Sequence, residues 1–254
     1  MCFDHDSRPP IEAIAGGALD ARTLTLEAAD GNRFEAYVAR AAEPIGAGIV
    51  ILPDVRGLHT YYRELALRFA EHGVDAIAYD YFGRTAGIGD RGPAFDYSPH
   101  VGQVTFAGLR ADTVAAVAAL RDEANPAHLF TTGFCMGGRL ALLSASYGLG
   151  LAGVISFYGW PVGPARNDTP APADIADQLA CPILAIFGGA DEGIPAEKVA
   201  TFEAALAKAG VEHTVTTYPG APHSFFDRKA EDFADASAEA WDQTLGFIRA
   251  HSAG

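Results

Sequence analysis

The 254-residue chain is predicted to be an α/β protein with a mostly parallel central sheet and helices on both faces. Short apolar segments rich in β-branched residues alternate with helical segments along most of the chain, and this alternation is typical of βαβ units. The length suits one large domain, spanning residues 1–254. A composition of 49% hydrophobic and 20% charged residues is that of a globular protein and excludes disordered and fibrous classes.

The first half of the chain contains four predicted strands. Residues 22–40 form two strands around an Asp-Gly-Asn turn, and the AGIVIL segment at 47–52 has the apolar, β-branched character of a buried strand. A helix over residues 60–72, ended by a glycine, precedes a strand at 74–79. A polar, glycine-rich loop at 82–103 then leads into an alanine-rich helix at 104–123.

The second half continues the same alternation. Apolar runs predict strands at residues 129–133, 152–158, 182–187 and 213–218. Helical spacing predicts helices at residues 137–147, 195–209 and 229–250. Residues 160–179 are rich in Pro, Ala and Asp, which indicates a loop or a small lid.

Charge and cysteine content restrict the partners and the compartment. With 18 basic and 32 acidic residues, the net charge of −14 disfavours nucleic acid and anionic membranes as partners and is compatible with a monomer without requiring one. The N-terminal segment lacks the basic end and apolar run of a secretory signal, so a cytoplasmic protein is predicted. Three cysteines without CxxC spacing predict neither a disulfide framework nor a zinc site, and we expect no metal and no cofactor.

The most informative motif surrounds Cys135. Gly133-Phe134-Cys135-Met136-Gly137-Gly138 follows an apolar strand and begins a predicted helix, which is the G-x-nucleophile-x-G turn of hydrolases with cysteine in place of serine. A thiol at a helix N-terminus is favoured as thiolate, and the Met136 amide can stabilise an oxyanion there. A dinucleotide-binding turn would need glycine at position 135, so that alternative is disfavoured. A buried structural cysteine is the remaining alternative.

Two further side chains follow strands in the order that such hydrolases use, nucleophile, acid and then histidine. Asp191 comes after the strand at 182–187, and His223 comes after the strand at 213–218. His223 can exchange a proton with the thiol, and Asp191 can orient the imidazole. Glu192 is the rival acid, although Asp191 is preferred. Among the other histidines, His59 is expected to face solvent.

With these residues in view, the sequence resembles the dienelactone hydrolase family of α/β-hydrolases. The resemblance covers most of the chain and rests on LPDVRGLH, YDYFGR, GFCMGGRLAL, SFYGW, FGGADEGIP and PGAPHSFFDR. It implies hydrolysis of lactones or esters by a thiol nucleophile without a metal. It also implies that Asp54, where a relative carries glutamate, contacts the resting thiol and helps to activate it. On residues alone, Asp54 could instead be a turn-forming residue.

The resemblance assigns the remaining site residues. The Val55 amide becomes the second oxyanion donor. Arg84 and Arg228 match the arginines that bind a substrate carboxylate, with Arg228 shifted by one position, and Arg56 is a further candidate cation. Apart from the resemblance, Tyr158 and Trp160 follow the strand after the Cys135 turn and could form a wall of the pocket or belong to the core.

The sequence therefore predicts a hydrolase that cleaves a carboxylic ester or lactone, carrying a carboxylate, through a Cys-His-Asp triad and an acyl-enzyme. A small-molecule ester or lactone is the expected partner. Two alternatives stay open: a broad-specificity esterase or thioesterase, and a non-enzymatic sensor that uses Cys135 as a reactive thiol.

Overall fold

The computed structural model describes residues 3–253, and its centre is one eight-stranded sheet in the order β1-β2-β4-β3-β5-β6-β7-β8. Strands β3 to β8 are parallel to one another, whereas β2 is antiparallel to both β1 and β4. The strands are β1 (Ala18–Glu27), β2 (Arg33–Ala41), β3 (Ala47–Leu52), β4 (Val74–Tyr79), β5 (His128–Phe134), β6 (Gly153–Phe157), β7 (Ile183–Gly188) and β8 (His213–Tyr218). Cys2 lies outside the described residues.

The helices occupy the predicted connections, with shifted ends. They are α1 (Thr60–Glu71), α2 (Gly83–Ala86), α3 (Ser98–Val101), α4 (Phe106–Ala124), α5 (Met136–Ser144), α6 (Ala196–Ala209) and α7 (Ala234–Ala250). The short helices α2 and α3 lie inside the segment predicted as a loop, and a 3₁₀ helix, Pro172–Gln178, lies inside the second predicted loop. Within residues 3–253 no helix is both long and apolar enough to cross a membrane.

Local signals determine where the longest helix begins and ends. The Thr105 hydroxyl accepts a hydrogen bond from the Gly108 amide at 3.1 Å and so caps the first turn of α4. Asn125 ends the helix in a left-handed conformation with φ of +49°. On the opposite layer, rings of α1 and α7 pack against each other, with the Phe69 and Trp241 centroids 4.8 Å apart. The sheet is thus covered by helices on both faces, as predicted.

The parallel strands determine the position of the site. The central strands β3, β4, β6 and β7 are buried along their whole length, and β5 is buried except at His128, as expected for strands covered on both faces. Parallel strands end at the same edge of a sheet, and ligands of open α/β sheets bind there. The residues that follow β3, β5, β6, β7 and β8 therefore meet at one edge.

Candidate active site

Cys135 stands in a strained turn between β5 and α5. Its backbone has φ of +56° and ψ of −118°, a region that costs a non-glycine residue on the order of 1–3 kcal/mol. Neighbouring glycines make the turn sterically feasible: a Cβ on Gly133 would lie 2.0 Å from the Gly137 carbonyl oxygen. A Cβ on Gly137 would lie 2.1 Å from the Leu52 carbonyl oxygen. The Cys135 amide donates to Phe157 O at 3.0 Å, which ties the turn to β6.

The structure places Asp191, and not Glu192, beside His223. His223 Nδ1 lies 2.6 Å from Asp191 Oδ2, and both side chains are almost fully buried. The other carboxylate oxygen, Oδ1, accepts from the Gly193 amide at 2.9 Å and the Ile194 amide at 3.2 Å. Glu192 points to solvent. The loop after β7 thus holds the carboxylate so that one oxygen faces the imidazole.

The balance of forces at Asp191 keeps its carboxyl group ionised at neutral pH. Burial raises the pKa of Asp191, but the hydrogen bond and charge of His223 and the two amides oppose it, and the net pKa lies below the usual value. An ionised carboxylate accepts the Nδ1 proton of the imidazole, which leaves Nε2 as the nitrogen that can take a proton from another group.

Asp54 is fully buried at the end of β3 and organises the loop that follows. Its Oδ1 accepts from the Arg56 amide at 2.9 Å, which is the turn-forming role, and its Oδ2 accepts from the Phe3 amide at 3.2 Å. His59 Nε2 lies 3.6 Å from Oδ1. The expectation that His59 faces solvent is wrong, because the loop packs its ring against Tyr62 (centroids 5.1 Å apart) with 3% of the residue exposed.

A cavity of about 500 Å³ opens above Cys135. Val55 and Met136, the predicted oxyanion donors, line it together with the thiol-bearing residue. Apolar and aromatic side chains form much of the wall: Tyr97, Val101, Leu140 and Trp160. Among the residues described, the lining also contains three arginines, Arg56, Arg139 and Arg166, and no aspartate or glutamate. In a protein with a net charge of −14, this is a locally cationic cavity.

The structure does not bring Arg84 and Arg228 to the cavity. The Arg84 guanidinium donates to both oxygens of the buried Asp112 at 2.8 Å and also pairs with Asp30 at 2.6 Å, so its donors are used in tying α2 to α4 and to the turn before β2. Arg228 is exposed, and its amide donates to Arg8 O at 3.0 Å. Neither belongs to the cavity lining.

The two aromatic residues after β6 occupy different places. Trp160 lines the cavity, and its ring centroid lies 4.6 Å from that of His223. Tyr158 is fully buried, with φ of +39°, and its ring packs 4.9 Å from the imidazole outside the cavity lining. Both rings therefore restrict the His223 side chain, but Trp160 alone of the two lines the cavity.

Two charged residues of the cavity lining were not proposed as site residues from the sequence. Arg139, four residues after Cys135, donates to the carbonyl oxygens of the segment after β6, those of Trp160, Gly163, Thr169 and Pro170. An arginine inside the apolar first turns of α5 is the signal that could have revealed it. Arg166, carried by that segment, is exposed and makes no salt bridge with any residue in 3–253.

The sheet and the turn define a class of protein. A strained cysteine turn after β5, an aspartate after β7 and a histidine after β8 on a mostly parallel sheet match the α/β-hydrolase arrangement. The model of the dienelactone hydrolase family matches residues 34–252. The chain belongs to the dienelactone hydrolase family, and it is an ester or lactone hydrolase.

Relatives and solved structures agree with this assignment. Two bacterial relatives carry the name "Putative carboxymethylenebutenolidase". The one from Salmonella typhimurium is 32% identical over 90% of this chain and 87% of its own length, and the one from Escherichia coli K12 is 31% identical over 94% and 89%. A crystal structure described as "Putative Dienelactone Hydrolase" from Klebsiella pneumoniae is 29% identical, with a TM-score of 0.77, over 91% of this chain and 99% of that one.

Proposed function

We propose that the enzyme hydrolyses small carboxylic esters or lactones that carry a carboxylate, with Cys135 as nucleophile, His223 as acid-base and Asp191 as the group that orients it. The observation that carries the proposal is the cavity itself. Its lining includes the strained cysteine turn and three arginines, and among the described residues that line it there is no aspartate or glutamate. The His223 ring, which is paired with Asp191, packs against the ring of Trp160 in the cavity lining.

The residues support a two-step acyl transfer. The Cys135 thiol gives its proton to His223 Nε2, and the sulfur attacks the carbonyl carbon to form a tetrahedral oxyanion. The carbon–oxygen bond then breaks, and His223 returns the proton to the leaving oxygen, which gives a thioester on Cys135. Water, deprotonated by His223, attacks the thioester. The carbon–sulfur bond breaks, the proton returns to sulfur, and the carboxylic acid leaves.

The oxyanion is proposed to bind the Met136 and Val55 amides. Both residues line the cavity next to Cys135, one at the start of α5 and the other in the loop after β3. Fixed amide donors in a site that excludes water stabilise developing negative charge without reorganising. The Asp54 carboxylate, through the Arg56 amide, holds the loop that presents Val55.

Recognition of the substrate carboxylate is assigned to Arg56 and Arg166. Both terminal nitrogens of Arg139 donate to the carbonyl groups that hold the cavity wall, and burial lowers its pKa. Arg166 has no salt-bridge partner within residues 3–253, and the Nε of Arg56 is buried without a hydrogen-bond partner there. Guanidinium groups with unused donors suit bidentate binding of a carboxylate.

Replacing Arg166 by alanine should selectively lower kcat/KM for a carboxylate-bearing lactone. Loss of one charged hydrogen-bonding group costs about 1.5–3 kcal/mol, so kcat/KM for this substrate should fall by roughly one to two orders of magnitude. For a neutral ester of similar size, kcat/KM of the variant should be close to that of the wild type. Arg228→Ala, which removes an exposed arginine outside the cavity, is the matched control. Equal losses on both substrates would show that Arg166 supports the wall and does not recognise the anion.

Asp54→Asn tests whether the buried carboxylate restrains the resting thiol. A negative charge near Cys135 disfavours its thiolate, so the variant should react faster with iodoacetamide at neutral pH while hydrolysing substrate more slowly. The measurement is the pH dependence of Cys135 alkylation. Asp75→Asn is the control, because Asp75 is also a buried aspartate but lies at the start of β4, at the opposite end of the sheet. Unchanged alkylation and unchanged turnover would leave Asp54 with the turn role alone.

Steady-state kinetics with matched substrates test the proposal as a whole. We expect kcat/KM to be higher for carboxylate-bearing lactones than for neutral p-nitrophenyl esters of the same size, with Cys135→Ala inactive on both. A preference for neutral esters would favour a broad esterase, which the apolar wall of the cavity would also suit. No hydrolysis across the panel, with a reactive thiol, would favour a sensor.

A further inference from the structure

The N-terminal segment Phe3–Arg8 contacts the loop after β3 that carries Asp54 and Arg56, although it precedes the region matched by the family model. Phe3 is 2% exposed and stacks on Tyr61 with ring centroids 4.0 Å apart. Its amide donates to the carboxylate of Asp54, at the end of β3. The segment closes with a turn in which Ser7 N donates to Asp4 O at 3.1 Å and Asp4 N donates to Ser7 Oγ at 3.0 Å. The backbone of Asp4 is thus fixed beside the loop that carries Arg56.

The Asp4 carboxylate is shared between two cations. Its Oδ1 lies 3.4 Å from an Arg56 nitrogen, and its Oδ2 lies 3.5 Å from Lys229 Nζ. Lys229 also pairs with Asp6 at 2.8 Å. Arg56 lines the catalytic cavity, whereas Lys229 does not. The Asp4 carboxylate is therefore already paired with the Arg56 guanidinium, which lines the cavity.

We propose that Asp4 is a specificity-determining residue: it competes with the anionic group of the substrate for Arg56 and so limits how strongly the cavity selects anions. When a substrate carboxylate binds Arg56, the Asp4 carboxylate keeps its contact with Lys229, so its release leaves no unpaired charge. The contact is partly exposed, with 64% of the Asp4 side chain and 23% of the Arg56 side chain accessible, and such pairs are weak enough to exchange. This inference rests on the proposed function, because it concerns how strongly the cavity selects substrates that carry a carboxylate.

Alkylation of Cys135 measures this competition without requiring turnover. Iodoacetate carries a carboxylate, and iodoacetamide is its neutral analogue; in both reactions the thiolate forms a carbon–sulfur bond and iodide leaves. The ratio of the two labelling rates, followed at the Cys135 peptide by mass spectrometry, reports the attraction of the cavity for an anion. Asp4→Asn should raise the ratio about two- to fivefold, the range for an exposed ion pair. The gain should shrink as salt is raised.

Asp6→Asn is the matched control. It removes the same charge from the same segment and also removes a partner of Lys229, but Asp6 makes no salt bridge with Arg56 within residues 3–253. We expect its ratio to equal that of the wild type. In an Arg56→Ala background the ratio should fall, and Asp4→Asn should then change nothing further. Asp4→Glu, which keeps the carboxylate, should remain close to the wild type.

The outcomes separate this inference from the proposed function. An unchanged ratio in Asp4→Asn, or an equal rise in Asp6→Asn, would overturn the role of Asp4 even if carboxylate-bearing lactones are hydrolysed. A raised ratio that needs Arg56, together with no lactone hydrolysis, would uphold the competition and overturn the substrate assignment. The iodoacetamide rate alone, unchanged in Asp4→Asn, shows that the thiol environment is intact.

Discussion

Cys135→Ala is expected to lose at least about 10³-fold in kcat while folding normally. The turn already places a small side chain in a strained backbone, and alanine fits the space of a thiol-bearing residue that is 2% exposed. Without sulfur no thioester can form, and the oxyanion donors and the cavity can supply only residual catalysis. Steady-state turnover on the best substrate of the panel, with circular dichroism to check folding, measures the effect.

Replacement of Cys181 provides the matched control for this loss of turnover. It is also buried, and burial raises the pKa of its thiol to about 12, so it is an unreactive thiol outside the cavity lining. Cys181→Ala should keep wild-type turnover. Cys135→Ser should also lose most activity, because a serine hydroxyl is far less acidic than a thiol. Retained activity in Cys135→Ala would exclude the nucleophile assignment.

Asp191→Asn is the second change with a large expected effect, on the order of 10²–10⁴-fold in kcat. The carboxylate holds His223 Nδ1 at 2.6 Å, and an amide there can present a donor to the ring nitrogen and favour the wrong tautomer. Substrate binding should change little, since Asp191 does not line the cavity. The expected signature is therefore a fall in kcat with KM nearly unchanged.

The same substitution has a predictable pH signature in stability. Because the pKa of Asp191 is lower in the folded protein, its ionised form contributes stability above the unfolded value, and this contribution is lost as pH falls through the folded value. The difference in unfolding free energy between wild type and Asp191→Asn should shrink below about pH 4. Glu192→Gln, a neighbouring acid that is exposed, should alter neither kcat nor this pH dependence.

The positions of the strands along the chain could be predicted because each strand carries its own local pattern. The buried strand β3 is continuously apolar, and the glycines around Cys135 are required by contacts of 2.0–2.1 Å that any side chain would create. Helix ends were less predictable, since caps such as Asn125 depend on one residue. The short helices α2 and α3 were missed because four residues carry too little periodicity.

The proximity of residues that follow parallel strands could be predicted from the sequence, and contacts between distant segments could not. Asp191 and His223 come together because parallel strands end at one edge of the sheet, which the order of strands alone implies. The cationic side of the cavity depends instead on pairings between distant segments. Arg84 is engaged by Asp112, 28 positions away, and Phe3 reaches Asp54 across 51 positions. No local pattern reports such pairings.

Acid quenching of the wild-type enzyme during turnover of a carboxylate-bearing lactone, followed by mass spectrometry, shows directly whether an acyl group forms on Cys135. A thioester survives acid, so we expect one acyl group on the peptide that contains Cys135, formed at early times and absent from Cys135→Ala. Turnover without any adduct on Cys135, or with the acyl group on another residue, would contradict it.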